Sequence, residues 1–356
     1  MNRFQFTVFG SGSMVNQMRN QTSIGLTYTC SNSKQQCWLF DCGDGTSCIK
    51  RTLRQMIKYA TNFRRYSLST IFITHLHVDH ASGLAAVIAD MGAIHANDKE
   101  RWCVDIYGPY HLASMFLPTL FYCKMDQLCD IHIHEFLTPG QELDSCSVSV
   151  NSNLDISSFQ SPNVTVSAIY PDDDGYWTCF NNDIGSMRSG SLVHMVPCWG
   201  YCFQESSTEN DPKKIVVFGD TCDSSKMVNL IQNCDILFHE LSYGPIITDM
   251  DRDALRQPES KLPKLQNELL SQERTKARWD KIIASAAFWK HSTAEMVGLF
   301  AEKVNTKQLV LIHIGARYEV KKPEVRDKME TLLKNRVGEF YHGPIVLSHD
   351  GTIVTM

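Results

Sequence analysis

His75-Leu76-His77-Val78-Asp79-His80 places three imidazoles and a carboxylate within six residues. The apolar run Ile71-Phe72-Ile73 precedes it and reads as a buried strand, and Ala81-Ser82-Gly83-Leu84-Ala85-Ala86-Val87 follows as a helix start. The four polar residues therefore fall in a strand-to-helix loop, where rigid flanking elements hold several ligands around one point. Imidazole and carboxylate are nitrogen and oxygen ligands of zinc and manganese. Two such pairs in succession point to two adjacent metals and to a metallohydrolase. A lone histidine would read as a surface or core residue, but four ligating groups at this spacing carry more.

The chain has 356 residues, 43% hydrophobic and 21% charged, which is ordinary for a globular protein with a sizeable core. No run approaches the roughly twenty apolar residues of a membrane span. Arg3-Phe4-Gln5-Phe6-Thr7-Val8-Phe9 alternates like a first strand rather than a secretory signal. Thirteen scattered Cys, an odd number with no CxxC pair, fit reduced thiols in a cytoplasmic or nuclear setting. A net charge of −5 excludes a globally basic nucleic-acid binder. One local exception is the stretch with Lys50, Arg51, Arg54, Lys58, Arg64 and Arg65, which has no acidic residue and carries an apolar helical stripe. It reads as a phosphate-attracting patch or as a solvated helix face.

Strand-like segments at Phe4–Phe9, Cys37–Asp41, Thr70–Thr74, Val104–Tyr107, Asn163–Tyr170 and Ser191–Val196 continue with Lys214–Phe218, Ile236–His239, Leu309–His313 and Ile345–Leu347. Helical patterns lie between them, which predicts an α/β layered architecture. Gly200-Tyr201 and Asp350-Gly351 are expected to be turns between paired strands. Residues 1–356 are expected to form a single domain, with 244–290 a mixed-charge helical insertion within it.

Acidic and imidazole residues recur at the ends of these strands: His194 after Ser191-Leu192-Val193, Asp220 after Val217-Phe218-Gly219, Glu240 after His239, and His313 after Leu311-Ile312. A set aligned along one sheet edge suits a ligand crevice. His95, His111, His132, His134, His342 and His349 fit no such pattern and read as surface or packing residues. Asp172-Asp173-Asp174-Gly175 reads as an acidic turn.

This pattern resembles the metallo-β-lactamase fold, an αββα four-layer sandwich holding two metals. Within that superfamily it is most similar to the tRNase Z (ribonuclease Z) family, the endonucleases that trim the 3′ trailer of precursor tRNA. The motifs carrying the resemblance are His194-Met195-Val196-Pro197-Cys198-Trp199-Gly200-Tyr201, Gly219-Asp220-Thr221 and His239-Glu240-Leu241-Ser242. Lys290-His291-Ser292-Thr293, Ile312-His313-Ile314-Gly315-Ala316-Arg317-Tyr318, Met18-Arg19-Asn20 and Phe40-Asp41-Cys42-Gly43-Asp44-Gly45-Thr46 complete it.

The resemblance implies two divalent metals, Zn2+ before Mn2+: one on His75, His77, His194 and Asp220, the other on Asp79, His80, Asp220 and His313. It implies that Asp41 braces the metal loop and that Asp79 orients or deprotonates the attacking water. His291, with Glu240 fixing its tautomer, protonates the leaving oxygen. A pair of cations would activate a bridging water and clamp the phosphodiester. Arg19, Asn20 and Arg317 are expected to contact the substrate, an RNA, and a homodimer is expected from the resemblance.

Two departures stand out. Only 25 residues separate His194 from Asp220, too few for the family's basic arm that grips tRNA. Val15-Asn16-Gln17 replaces the first half of the family's early loop, and Gly315 replaces its Ser. Beside precursor-tRNA cleavage, the alternatives are a small-molecule phosphodiesterase or arylsulfatase of the same fold and a non-catalytic RNA-processing subunit.

Overall fold

The computed structural model describes residues 3–14, 18–29, 35–45, 49–50, 68–143, 161–206, 211–245, 273–318 and 323–356. Two sheets organise it. The first runs β1 (Phe4–Gly10), β2 (Ser23–Thr29), β3 (Gln35–Phe40), β4 (Leu68–Phe72), β5 (Cys103–Pro109), β6 (Asp130–Phe136) and β7 (Val164–Ile169). The second holds β8 (Trp177–Asn182), β9 (Gly185–Leu192), β10 (Cys198–Glu205), β11 (Lys214–Phe218), β12 (Ile236–Glu240), β13 (Leu309–Ile312) and β14 (Ile345–Leu347). The last strand, β15 (Ile353–Thr355), crosses back and pairs antiparallel with β1, so the spatial orders are β15-β1-β2-β3-β4-β5-β6-β7 and β14-β13-β12-β11-β10-β9-β8.

Period-two alternation splits each strand between two cores. In β3, β4 and β5, Leu39, Ile71, Val104 and Ile106 turn outward, under α2 (Leu84–His95) and α3 (Leu112–Tyr122). Trp38, Phe40, Phe72 and Tyr107 turn inward and meet Tyr201, Phe203, Val217 and Phe238 of the other sheet. In the second sheet, Val216, Leu237, Leu309 and Leu311 turn outward under α6 (Ala294–Lys303) and α7 (Pro323–Gly338). Helix, sheet, sheet and helix therefore stack as the expected αββα sandwich. The inner layer is aromatic: Phe40 and Phe72 stack at 4.9 Å and Phe72 and Tyr107 at 5.5 Å, while Tyr201 lies 5.0 Å from Phe72.

Strands β3 to β7 run parallel, as do β11 to β14. Their C-terminal ends consequently share one rim of the sandwich, where polar loop residues collect. Three further helices border that rim or continue from it: α1 (Val78–Ala81), α4 (Val228–Ile231) and α5 (Glu273–Trp289).

Three expectations change. Gly200-Tyr201 is no turn but the middle of β10, paired with Phe218 and Val217 of β11. The glycine is there because a Cβ at Gly200 would meet the Phe218 ring at 2.6 Å. Asp350-Gly351 does turn, yet it joins β14 and β15 of opposite sheets. The strand expected over Ser191–Val196 is β9, which stops at Leu192; Val193 makes only an isolated bridge to Asp223. The basic stretch 51–65 and residues 246–272 of the expected insertion lie outside the described residues. Lys50 forms an ion pair with Asp90 of α2.

Candidate metal centre

Seven side chains converge at the shared rim. His75 and His77 follow β4, and Asp79 and His80 sit on the single turn α1, whose N-cap is His77. His194 lies just beyond β9, Asp220 beyond β11 and His313 beyond β13. Asp220 is the common point: its Oδ2 lies 3.7 Å from His75 Nε2, 3.6 Å from His80 Nε2, 3.9 Å from His194 Nε2 and 3.2 Å from His313 Nε2. His194 Nε2 is 3.2 Å from His77 Nδ1, and Asp79 Oδ2 is 3.4 Å from His313 Nε2. Three groups of donors among the described residues are each compact enough for one ion: His75, His77, His194 and Asp220; Asp79, His80 and His313; and Asp220, His291 and His313. Asp220 belongs to two of them.

The second ring nitrogen of four of these histidines is already committed. His80 Nδ1 donates to Asp41 Oδ2 at 2.7 Å, and His75 Nδ1 to Thr74 Oγ1 at 3.0 Å. His194 Nδ1 donates to the Lys290 carbonyl at 2.9 Å and His313 Nδ1 to Ser242 Oγ at 3.1 Å. Each leaves its Nε2 lone pair aimed inward, as outer partners of metal-bound histidine do. Nε2 of His75 and of His80 is buried without a hydrogen-bond partner among the described residues. Buried polar atoms are rarely left so, and a cation is the group that would satisfy them.

Backbone geometry serves the same end. Asp41, Lys290 and His313 all take positive φ, at 55°, 56° and 49°. Non-glycine residues adopt that region at a cost, and it gathers at functional sites. Here it turns the Asp41 carboxylate onto Thr74 and His80, and accompanies the Lys290 carbonyl that accepts from His194 Nδ1. Gly219 is required by space: a Cβ would meet Cys198 Sγ and Thr74 Cβ at 2.6 Å.

Charge follows geometry. Burial, and then the neighbouring His80, push His75 well below the ordinary imidazole pKa; burial and His194 lower His77, and burial alone leads in lowering His194. Neutral imidazole is the form a metal requires. Burial opposes charge on His80 too, but the Asp220 and Asp41 carboxylates raise its pKa well above the usual value. Burial also works against ionised Asp79, yet its hydrogen bond to His313 and the charge of His80 hold it far below the normal carboxylate range.

A second cluster borders the first. His291, between α5 and α6, faces both oxygens of buried Glu240 at 3.0 and 3.1 Å and lies 3.8 Å from Asp220 Oδ2. Burial lowers its pKa, but Glu240 overrides this and raises it to about 9. Glu240 shifts the opposite way, burial being outweighed by His291. Ser242 connects the two clusters, donating to Glu240 Oε2 and lying 3.3 Å from His291 Nδ1 and 3.1 Å from His313 Nδ1. Neither Ser242 nor Thr74 was singled out from sequence. Their signal was adjacency, Ser242 two residues after Glu240 and Thr74 next to His75.

Of the three expected substrate contacts, two are placed elsewhere. Arg19 is buried, donating to Ser11 Oγ and the Ser348 carbonyl and pairing with Glu330. Asn20 is buried with its amide on the Phe9 carbonyl and its backbone N–H on Asp350. Both knit the β1 end to the C-terminal segment. Arg317 is half-buried, its guanidinium 4.2 Å from the Tyr243 ring, which lies 6.2 Å from the His291 ring. Asp172 and Asp174 form the acidic turn as expected, paired with Arg188.

Fold and site together define a metallo-β-lactamase-fold hydrolase that depends on divalent metal; residues 32–152 match the family model described as the metallo-beta-lactamase superfamily. A ribonuclease Z of Streptococcus suis is 30% identical over 255 residues, covering 68% of this chain and 77% of that protein. One from Streptococcus pneumoniae is 30% identical over 253 residues, covering 67% and 77%. The chain belongs to the ribonuclease Z family and is an endoribonuclease. Short-form human tRNase Z superposes with a TM-score of 0.60 at 20% identity, covering 98% of each chain. A long-form yeast RNase Z gives 0.58 at 15% identity over 99% of this chain and 41% of its own. These two structures establish the shared fold. Among the described residues, no helix is long and apolar enough to cross a membrane.

Proposed function

We propose that this chain removes the 3′ trailer of precursor tRNA, using two zinc ions held by His75, His77, Asp79, His80, His194, Asp220 and His313. The observation that carries the reading is Asp220 Oδ2, which lies within 3.9 Å of four imidazole nitrogens from both sheets. Zinc suits a set made only of imidazole and carboxylate, and manganese is the runner-up. Bound there, the cations supply Lewis acidity, activating water and neutralising phosphodiester charge. Asp79, whose Oδ2 already accepts the Met14 backbone N–H at 2.8 Å, orients the water and takes its proton. His291 donates a proton to the departing oxygen, and Glu240 fixes its Nδ1–H so that Nε2 faces the reaction. Arg317, stacked on Tyr243, steers a phosphate toward His291. The two sheets act as one domain, and the protein acts in the cytoplasm or nucleus, as a homodimer.

The test is cleavage of a precursor tRNA by zinc-loaded protein. Cleavage after the discriminator base, leaving a 3′-hydroxyl, is expected, with complete loss in Asp79→Ala. Turnover of bis(p-nitrophenyl) phosphate without tRNA cleavage would replace the reading by a small-molecule phosphodiesterase.

A further inference from the structure

Helix α5 ends at the metal centre, and its last two residues are exposed aromatic rings. The carbonyls of Ala286 and Ala287 accept the backbone N–H groups of His291 and Lys290, at 2.9 and 3.4 Å, and Lys290 takes a φ of 56°. This is a Schellman closure, with Trp289 the last helical residue and Phe288 before it. The Lys290 carbonyl accepts from His194 Nδ1 at 2.9 Å, and the His291 ring lies 4.9 Å from that of His194. Phe288 and Trp289 therefore stand three and two residues before the proton donor, on a backbone held by these bonds.

Core packing does not account for the two rings. α5 buries Ile282 and Ala286 against Tyr243. Phe288 follows Ala286 by two positions, about 200° round the helix axis, and is 68% exposed, while Trp289 is 49% exposed. The rings meet edge to face, with centroids 5.0 Å apart at 87°. Lys281, two turns before Phe288 on the same face, is exposed, as is Lys290. Aromatic rings beside cations form the pattern that holds single-stranded nucleic acid, since rings stack on bases and cations meet phosphates.

We propose that Phe288 and Trp289 form the platform on which the discriminator base of the precursor stacks. The assignment rests on the trailer-removal reading above. His291 protonates the 3′ oxygen of the discriminator nucleotide, so the base of that nucleotide lies on the side from which α5 arrives. Three residues of backbone span at most about 11 Å, which keeps the platform beside His291. Stacking accepts any base, so the platform positions the cleavage site without reading its sequence.

Precursor tRNAs with and without the discriminator base test this on zinc-loaded full-length protein. Phe288→Ala combined with Trp289→Ala should lower kcat/KM on the intact precursor about 5- to 100-fold. Removing the base should slow the wild type by a similar factor and the doubly substituted protein no further, because the two changes remove one interaction. Metal content and Tm should stay at wild-type values, and Trp289→Phe alone should keep most of the cleavage. The platform is overturned if the wild type cleaves the abasic precursor at full rate, or if the two losses multiply. It is also overturned if the double substitution abolishes self-association and leaves cleavage intact. All three results leave trailer removal standing, whereas a wild type that does not cut the intact precursor overturns that reading and the platform with it.

Discussion

Asp41 Oδ2 lies 2.7 Å from His80 Nδ1 and 2.8 Å from Thr74 Oγ1, so one carboxylate from the end of β3 fixes the orientation of a histidine 39 positions later. Asp41→Asn keeps the size and tolerates the positive φ, which isolates the charge. Losing such an outer partner is expected to weaken metal affinity about 10- to 100-fold. Competition against a chelator of known affinity measures it. Undiminished affinity would mean that Asp41 shapes the loop but does not brace the ligand.

Metal removal should be visible in stability as well as activity. The rim carries several imidazoles around Asp220, with two Nε2 atoms buried and unsatisfied. A cation that binds only the folded chain stabilises it by about 2.7 kcal/mol at a hundredfold excess over its dissociation constant. For a chain of this size that corresponds to a rise of several degrees in Tm. Thermal unfolding with zinc and then with chelator checks this, and coincident curves would count against a preformed site.

Gly219→Ala tests the steric argument. The added Cβ would need to displace Thr74 or Cys198, both at 2.6 Å. Overpacking of this kind costs about 1–3 kcal/mol, and here it also pushes on Thr74, which is bonded to Asp41 and to His75. Denaturant unfolding should show the loss of stability, and chelator competition a weaker site. A loss of stability without any change in affinity would separate packing from ligand alignment.

How much of this was legible in the sequence depended on what each residue encodes locally. The αββα layering was readable because β-strand alternation is a short-range signal, as in Ile215 and Val217 inward against Val216 and Phe218 outward. The ligands were readable because His and Asp at strand ends are chemically conspicuous. Gly200 was misread as a turn because a glycine's local freedom is the same whether a loop uses it or a Phe218 ring displaces its Cβ. Arg19 and Asn20 make a related point: a polar residue in a motif does not disclose its partners, which here include the Ser348 and Phe9 carbonyls, far along the chain or across a strand. Ser242 became visible only when folding brought Glu240, His291 and His313 around it.

His291 separates chemistry from scaffold most sharply. It lies against buried Glu240, which raises its pKa to about 9, and its Nδ1 is committed to that carboxylate at 3.0 Å while lying 3.8 Å from Asp220 Oδ2. A group that protonates a departing oxygen matters when that oxygen is a poor leaving group and matters little when it is nitrophenolate. His291→Ala is therefore expected to slow precursor-tRNA cleavage about 10²- to 10⁴-fold while reducing bis(p-nitrophenyl) phosphate turnover far less. Metal content should stay at the wild-type level. If both substrates slow equally, or if metal is lost along with activity, His291 supports the site structurally and the proton comes from elsewhere.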